Sequence, residues 1–300
     1  PIEKNLNQCN YQDIPSIIKK AREEGHYDKK DRVLYYLDLG LANHYAGNYE
    51  KSNENLERAE QYMQELYTKS LSNIGTSYLT NNNQLPYYGE EYENLYINVF
   101  KSLNYENMNK TNEASVEIRD LYEKLSYMEL KYRKKAKKFK NSTLVKNVGD
   151  EVKDKLNEES EKIEIDAKFS NSALGRYFNY VMYMSDKDLD DAQIGLEGMK
   201  RAFAEQEGIY NFSFPQSIIR PQDTTNGTIV HAIALLGNGP IKKQKETRVP
   251  MPEIGYLKFV MPELVPRGTS ITSVRLYQDG ELITELQKVE DVNRVAEAVF

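Results

Sequence analysis

The sequence predicts an α+β protein: a mainly helical body of helical hairpins carrying a long antiparallel helical insertion, then a small C-terminal antiparallel β unit. Three observations predict it. Between residues 11 and 210 apolar side chains recur at steps of three and four, the period of a helix with one buried face. Between 121 and 174 two apolar stripes are narrow enough for a coiled-coil seam. After Tyr210 the punctuation becomes Pro and Gly, with β-branched runs between. The expected organisation is a helical domain over 1–212, its long hairpin spanning about 113–183, and a β-rich unit over 213–300 that ends in the start of a helix.

Taken in order, 11–24 reads as a helix with Asp13 as N-cap, Pro15 in its first turn and Gly25 at its end. The next helix, 32–46, is apolar at Val33, Tyr36, Leu37, Gly40 and Leu41. Gly47-Asn48 makes a tight break, and a helix from 49 to about 66 sets Leu56, Ala59, Met63 and Leu66 on one face. So short a break makes the two helices pack antiparallel. Tyr36, Leu39, Gly40, Ser52, Leu56 and Ala59 fall where the tetratricopeptide pattern places its large residue, its Leu-Gly pair and its small and large partners. Asn43 departs from that pattern, standing where Tyr is usual. Gly40 is the position that lets the two helices approach. Weaker copies follow over 91–125, with Ser102, Tyr105, Ala114, Ile118 and Leu121, and over 174–204, with Tyr183, Ala192, Leu196 and Met199. The copies lie further apart than the roughly 34 residues of a regular array. A degenerate set of helical pairs with insertions is expected, not a continuous solenoid.

The first insertion, 67–89, holds an Asn-rich loop at 80–86. In the second, Leu121, Leu125, Met128, Tyr132 and Phe139 make one stripe, and Val152, Leu156, Ile163, Ala167 and Leu174 the other. A basic run ends the first stripe at 131–140, and acids crowd 150–164. Helices over 113–140 and 150–183, packed antiparallel, would lay the basic run beside the acidic one. The alternative is a phosphate-binding run, but a charged run is usually a solvated or internally matched face. Further on, 228–236 is β-rich and nearly continuous in apolar residues, which predicts a strand buried on both faces. Strands are also expected at 245–249, 256–260, 272–277 and 281–286, the last two joined by Asp279-Gly280 as a type I′ turn. An amphipathic helix from 289 carries Val292, Val295, Ala296 and Val299 on one side.

Composition excludes several functions. A net charge of −6 argues against general nucleic-acid binding. No run approaches the 18 apolar residues of a helical membrane span. The single cysteine, Cys9, excludes an internal disulfide framework and a cysteine-rich zinc site. Asn7-Gln8 before it lacks the small residues of a lipidation signal, so Cys9 reads as an ordinary thiol. Pro1 in place of Met reads as a trimmed start, and with no cap after Phe300 the natural chain is expected to continue.

No catalytic, cofactor-binding or metal-ligating residue is assigned. His26, His44 and His231 are scattered, without a second His at ligand spacing. There is no Gly-x-Ser-x-Gly elbow and no phosphate loop; Gly237-Asn238-Gly239-Pro240 is a turn. Glu90 and Glu91 stand among tyrosines, but neighbours on a helix point roughly 100° apart, and acids at a helix start suit capping. The candidate site is instead a protein-binding one: Tyr87, Tyr88, Glu90 and Tyr92. Tyr67, Tyr78 and the Asn81-Asn82-Asn83 loop would add aromatic anchors and adaptable amides. The competing account makes these tyrosines buried packing.

The segments Asp31-Arg32-Val33-Leu34-Tyr35-Tyr36-Leu37-Asp38-Leu39-Gly40, Ala46-Gly47-Asn48-Tyr49-Glu50-Lys51-Ser52-Asn53, Leu66-Tyr67-Thr68-Lys69-Ser70-Leu71-Ser72 and Tyr88-Gly89-Glu90-Glu91-Tyr92-Glu93 resemble a family of uncharacterised bacterial envelope lipoproteins with tetratricopeptide-like helices. The stretches Gly237-Asn238-Gly239-Pro240-Ile241-Lys242-Lys243 and Val289-Glu290-Asp291-Val292 look like that family's β portion and following helix. None of these motifs is catalytic. The resemblance implies an outer-membrane-anchored lipoprotein, periplasmic or surface-exposed, that touches the membrane only through a lipid anchor expected to be absent from this chain. It implies envelope proteins as partners, other lipoproteins among them. The expected function is a non-enzymatic scaffold assisting assembly or maintenance of an envelope complex. The alternatives are an enzyme or enzyme regulator acting on cell-wall material, favoured by buried paired carboxylates or a His in a deep cleft, and a surface adhesin or host-factor binder. A tyrosine-lined groove favours the scaffold. No cofactor and no nucleic acid are expected.

Overall fold

A computed structural model of the chain describes residues 2–72, 86–140, 169–218, 229–251 and 255–299. Helices come first and two-stranded antiparallel sheets last, an α+β order. The chain forms two compact units, each made of two stretches of sequence. One comprises Pro1–Glu129 and Gly175–Gly195, the other Leu130–Leu174 and Leu196–Phe300.

The first unit holds α1 (Ile2–Asn7), α2 (Ile14–Glu23), α3 (Arg32–Tyr45), α4 (Tyr49–Ser72), α5 (Glu91–Asn107) and most of α6 (Thr111–Lys140). Here α3 is central because it has two apolar faces. Val33 and Leu37 pack with Leu56, Ala59, Met63 and Leu66 of α4 and with Ile97 of α5. On the other side Tyr35, Leu39 and Ala42 pack with Ile14 and Ile18 of α2. Where α3 meets α4, a Cβ on Gly40 would lie 2.6 Å from Leu56 Cδ2, and Ser52 Oγ donates to the Gly40 carbonyl at 2.8 Å. The glycine therefore does what the sequence asked of it.

Three pairs of helices share one closing device. Three residues separate α3 from α4, α5 from α6, and α7 (Ala173–Ser185) from α8 (Leu189–Glu205). In each turn one residue takes positive φ: Gly47 at 73°, Asn109 at 56°, Lys187 at 62°. The next N–H then reaches back five residues, from Asn48 to Asn43, from Lys110 to Tyr105 and from Asp188 to Tyr183, at 2.8, 2.9 and 2.9 Å. This is the Schellman closure, which satisfies carbonyls orphaned at the helix end. Five residues beyond the positive-φ position stands a small buried residue, Ser52, Ala114 or Ala192 in turn.

Along α6, Ala114, Ile118, Leu121, Leu125 and Met128 are all buried, so the described part of the expected stripe is real. Asn179 Nδ2 of α7 donates to the Ile118 carbonyl at 2.9 Å, and the Arg176 guanidinium meets Glu129 at 3.1 Å. The side chains of Tyr132 and Phe139, and the whole of 141–168, lie outside the described residues. The expected second arm was one helix over 150–183. Its described portion differs: 169–172 are not helical and α7 begins at Ala173. Gln206 explains the break, accepting from the Ser170 N–H and donating to the Asn171 carbonyl in place of a helical ladder.

In the second unit the start of α7 is fastened from far along the chain. The Tyr210 hydroxyl accepts from the Ala173 N–H at 2.9 Å and donates to Glu290 at 2.6 Å. Ser172 Oγ also donates to Glu290, at 2.9 Å. A carboxylate at a helix N-terminus is favoured by the exposed N–H groups and the helix dipole. A short helix α9 (Val292–Val299) follows, with Val295 and Ala296 buried. Asn293 of α9 exchanges two hydrogen bonds with the Arg267 backbone, and Arg267 Nε donates to the Gly239 carbonyl at 2.6 Å.

Among the described residues the strands form two ribbons. β1 (Ile241–Met251) pairs with β2 (Gly255–Val265) from Ile241↔Val265 to Met251↔Gly255. Pro250 and Pro262 are tolerated because each strand of a two-stranded ribbon is an edge. β3 (Arg275–Gln278) pairs with β4 (Glu281–Glu285) across Asp279 and Gly280, whose φ of 52° and 87° are those the expected turn requires. The buried strand expected over 228–236 is overturned: 229–236 form no strand, and Ile229, Val230, Ile233, Leu235 and Leu236 are exposed. Among the described residues β1 pairs only with β2 and β3 only with β4, so this run has no ladder to join. β-propensity without a partner strand does not make a strand.

Candidate functional site

α2, α3 and α4 enclose a groove of about 340 Å3. α3 is its floor, through Tyr36, Leu39 and Asn43 at helical steps, with Tyr35 beside them. Lys19 and Arg22 of α2 form one wall. Lys51, Glu54, Asn55 and Arg58 of α4 form the other. Spacings of three, four and seven put each set on one helix face. The floor is rigid: Tyr35, Leu39 and Asn43 are buried, and Asn43 Nδ2 donates to the Leu39 carbonyl at 2.7 Å. The rings of Tyr27, Tyr35, Tyr36 and Tyr62 form a continuous row, with successive centroids 5.4, 5.0 and 5.5 Å apart. At the rim Lys19, Arg22, Lys51 and Arg58 are exposed.

Four cations and one carboxylate line this groove, on a chain whose net charge is −6. The Arg22 guanidinium lies 4.1 Å from the Tyr35 ring centroid and 5.6 Å from that of Tyr36; Arg58 is also 5.6 Å from Tyr36. Burial alone would raise the Tyr36 phenol. The guanidinium groups of Arg22 and Arg58 outweigh it and hold the phenol below its ordinary value. Among the described residues no carboxylate lies within ion-pair distance of Lys19, Arg22, Lys51 or Arg58.

The four residues singled out from the sequence lie at the start of α5. Tyr87 donates its hydroxyl to Glu93 Oε2 at 2.6 Å and its N–H to the Lys30 carbonyl at 3.1 Å, and its ring packs on the α3–α4 core. Burial and the Glu93 carboxylate push its phenol far above the ordinary range. Glu90 caps α5 in a reciprocal box with Glu93, whose carboxylate accepts the Glu90 N–H at 2.7 Å. Tyr92 is half-buried and edge-on to Tyr96 at 5.9 Å. Of the four, only Tyr88 is exposed, at 37%. Tyr87 thus packs partly on the core with its hydroxyl on Glu93, and Glu90 stands at the cap of α5. Tyr78 and Asn81-Asn82-Asn83 lie outside the described residues.

One carboxylate, Glu117, is buried among the described residues, and a lysine holds it. Lys101 Nζ meets Glu57, Glu117 and Glu60 at 2.8, 2.9 and 3.5 Å. Lys124 Nζ meets Glu60, and it reaches Asn94 Oδ1 and Asn98 Oδ1 at 2.8 and 2.7 Å. Burial alone would depress the Lys101 ammonium; the surrounding carboxylates more than reverse this and keep it charged. His44 lies among Tyr45, Tyr49 and Phe100, and burial lowers its pKa. Asn104 Nδ2 donates to Ser52 and Asn53, so its Oδ1 accepts at 2.6 Å from His44 Nδ1, which carries the imidazole proton. Among the described residues no group of three His, Cys, Asp or Glu is placed to hold a metal ion, and no helix is long and apolar enough to cross a membrane.

Comparison of the chain with protein-family models, with curated proteins and with solved structures finds no match. The groove is thus known by its own chemistry. Its cations were missed in the sequence because Lys19 and Arg22 lie far from Lys51 and Arg58 along the chain, and only the packing of α2 and α4 around α3 joins them. The available signal was the seven-residue step from Lys51 to Arg58 beside the aromatic pair Tyr35-Tyr36.

Proposed function

We propose that the protein is a non-enzymatic protein-binding or scaffold component of the bacterial cell envelope, assisting assembly or maintenance of an envelope complex. The observation that carries the binding role is the groove of α2, α3 and α4: a fixed tyrosine floor flanked by cations with no carboxylate in ion-pair reach among the described residues. Rigid aromatic surface and guanidinium groups are what interface hot spots use. The tetratricopeptide-like reading of the body is supported by the closing turn shared by three helical pairs and by the small residue that follows each. The envelope location, the lipid anchor and the envelope partners rest on the resemblance of 31–40, 46–53, 66–72 and 88–93.

The test is cross-linking and affinity capture from envelope extract, comparing the wild-type chain with an Arg22→Glu/Arg58→Glu variant. Defined envelope proteins cross-linked within 19–58, and lost from the variant, are the expected result. No specific cross-link, or an identical set from both chains, refutes the reading.

A further inference from the structure

We propose that the groove between α2, α3 and α4 is a receptor for an extended acidic peptide segment of a partner protein. Its carboxylates pair with Arg22 and Arg58, and its backbone lies along the tyrosine floor beside Asn43 and Asn55. This rests on the partner-binding reading above and names the chemistry of the partner.

The charge distribution is the first ground. The chain has 46 acidic residues against 40 basic ones, so acids are plentiful. Several cations elsewhere find them: Lys101 in the interior, half-buried Lys124 with Glu60, Arg176 with Glu129, Arg32 with Glu65 at 3.0 Å. Among the described residues the groove gathers four bases around one acid, Glu54. A concave site of one sign focuses the field and raises the local concentration of the opposite charge.

Geometry is the second ground. Both guanidinium groups lie against the Tyr36 ring, and Arg22 against Tyr35 as well. Stacking on an aromatic face restrains a long side chain before the ligand arrives, so less freedom is lost on binding. A guanidinium presents a planar fork that matches a carboxylate in two parallel hydrogen bonds.

A third ground distinguishes a peptide from other anions. Asn43 Nδ2 is engaged by the Leu39 carbonyl and Asn55 Nδ2 by the Lys51 carbonyl. The side-chain oxygens of both amides, with the Glu54 carboxylate, give the groove hydrogen-bond acceptors beside its cations. A ligand that uses both must carry carboxylates and N–H donors together. A peptide does so along its own backbone, which carries an N–H at every residue beside its side-chain carboxylates; in a nucleic acid or an amino-headgroup phospholipid the N–H groups sit on bases or on the headgroup, off the phosphate backbone. The volume, at the small end of ligand sites, suits one extended strand and excludes the face of a duplex.

The experiment measures fluorescence anisotropy of a labelled dodecapeptide of alternating glutamate and alanine against the full chain. Binding should weaken as salt is raised and fall at least tenfold when glutamine replaces glutamate. Arg22→Glu and Arg58→Glu should each weaken it about tenfold or more, the scale of a lost charge-assisted hydrogen bond. Both side chains are exposed, so the thermal midpoint should hold; if either reversal lowers it, Lys19→Glu with Lys51→Glu replaces it. The salt series and the glutamine peptide need no variant. Equal binding of the glutamine peptide overturns the proposal. So does displacement of the label by an oligothymidine or by anionic phospholipid vesicles at matched charge. If the acidic peptide fails to bind while envelope cross-links still depend on Arg22 and Arg58, the acidic-peptide assignment falls and the partner-binding reading stands. If the peptide binds and no envelope protein is cross-linked, the assignment stands without it.

Discussion

Replacing Gly40 by alanine tests how closely α3 and α4 are held. In an isolated helix the change is favourable by roughly 1 kcal/mol, since glycine loses more backbone freedom. The structure opposes it. The new methyl would sit 2.6 and 2.7 Å from Cδ2 and Cγ of Leu56 and 3.3 Å from the Leu56 backbone nitrogen. Leu56 is 1% exposed and packed among Val33, Leu37, Ala59 and Met63, so it has nowhere to swing. Separating the helices instead lengthens the buried Ser52–Gly40 hydrogen bond, which contributes about 1 kcal/mol. Overpacking of this kind costs roughly 1–3 kcal/mol, and with propensity and hydrogen bond included the net loss is roughly 1–3 kcal/mol. With two compact units the chain need not unfold in one step, so hydrogen exchange at the amides of α3 and α4 is the better readout, beside calorimetry. Leu56→Ala in the Gly40→Ala background supplies the control. If the contact is the cause, the double variant loses less than the sum of the singles, by about 0.5–3 kcal/mol. Additive losses, or a Gly40→Ala protein as stable as the wild type, would refute the reasoning.

Lys101→Met should destabilise the first unit by about 3 kcal/mol, because it strands Glu117 in the interior without its cation; a urea midpoint unchanged from wild type contradicts this. His44 has its pKa lowered by burial, so its contribution to stability is complete above the ordinary histidine value of roughly 6.5. That contribution is lost as pH falls through the lowered folded-state value, and His44→Gln should flatten this part of the thermal midpoint's acid dependence. Tyr88→Ala should stay within about 0.5 kcal/mol of wild type in chemical denaturation, while Tyr87→Phe, which loses the bond to Glu93, should cost about 1 kcal/mol; the reverse order would restore Tyr87 to the surface.

Much of this molecule is legible where the physics is local. The turn at Gly47-Asn48, the small residues Ser52, Ala114 and Ala192, and the Asp279-Gly280 turn each follow from the φ angle or close approach that only certain residues permit. Legibility fails where a residue's fate depends on a distant partner. The run 229–236 has every intrinsic feature of a buried strand and is exposed, because pairing is decided by other segments. Tyr87 and Glu90 share the partner Glu93, which lies six and three residues further on and both receives the Tyr87 hydroxyl and closes the cap of α5. The second face of α3, with Tyr35, Leu39 and Ala42, is invisible to a method that looks for one apolar stripe per helix. That face makes α2 a neighbour and creates the groove.

α4 shows why the groove cations are hard to explain by stability alone. Its acids Glu57 and Glu60 turn to buried Lys101, and Glu60 also to half-buried Lys124. Its bases Lys51 and Arg58 are kept on the groove side. Glu54 and Arg58 stand four residues apart with the acid nearer the N-terminus, the best arrangement for a pair within one helix, contributing about 0.3–0.5 kcal/mol. They do not form that pair; Arg58 leans toward Tyr36, where Arg22 has also come from α2. Two like charges drawn to one ring repel each other, and Glu54 of α4 is left aside. A folded chain keeps such an arrangement at a small cost in stability, and a bound carboxylate would turn that cost into affinity. Adding the acidic dodecapeptide should therefore raise the thermal midpoint of the wild-type chain in proportion to its saturation. In Arg58→Gln, which removes the repulsion and the ligand's partner together, the free protein should be no less stable and the peptide should add little. A free Arg58→Gln protein that is markedly destabilised would show that the guanidinium serves the fold and not a ligand.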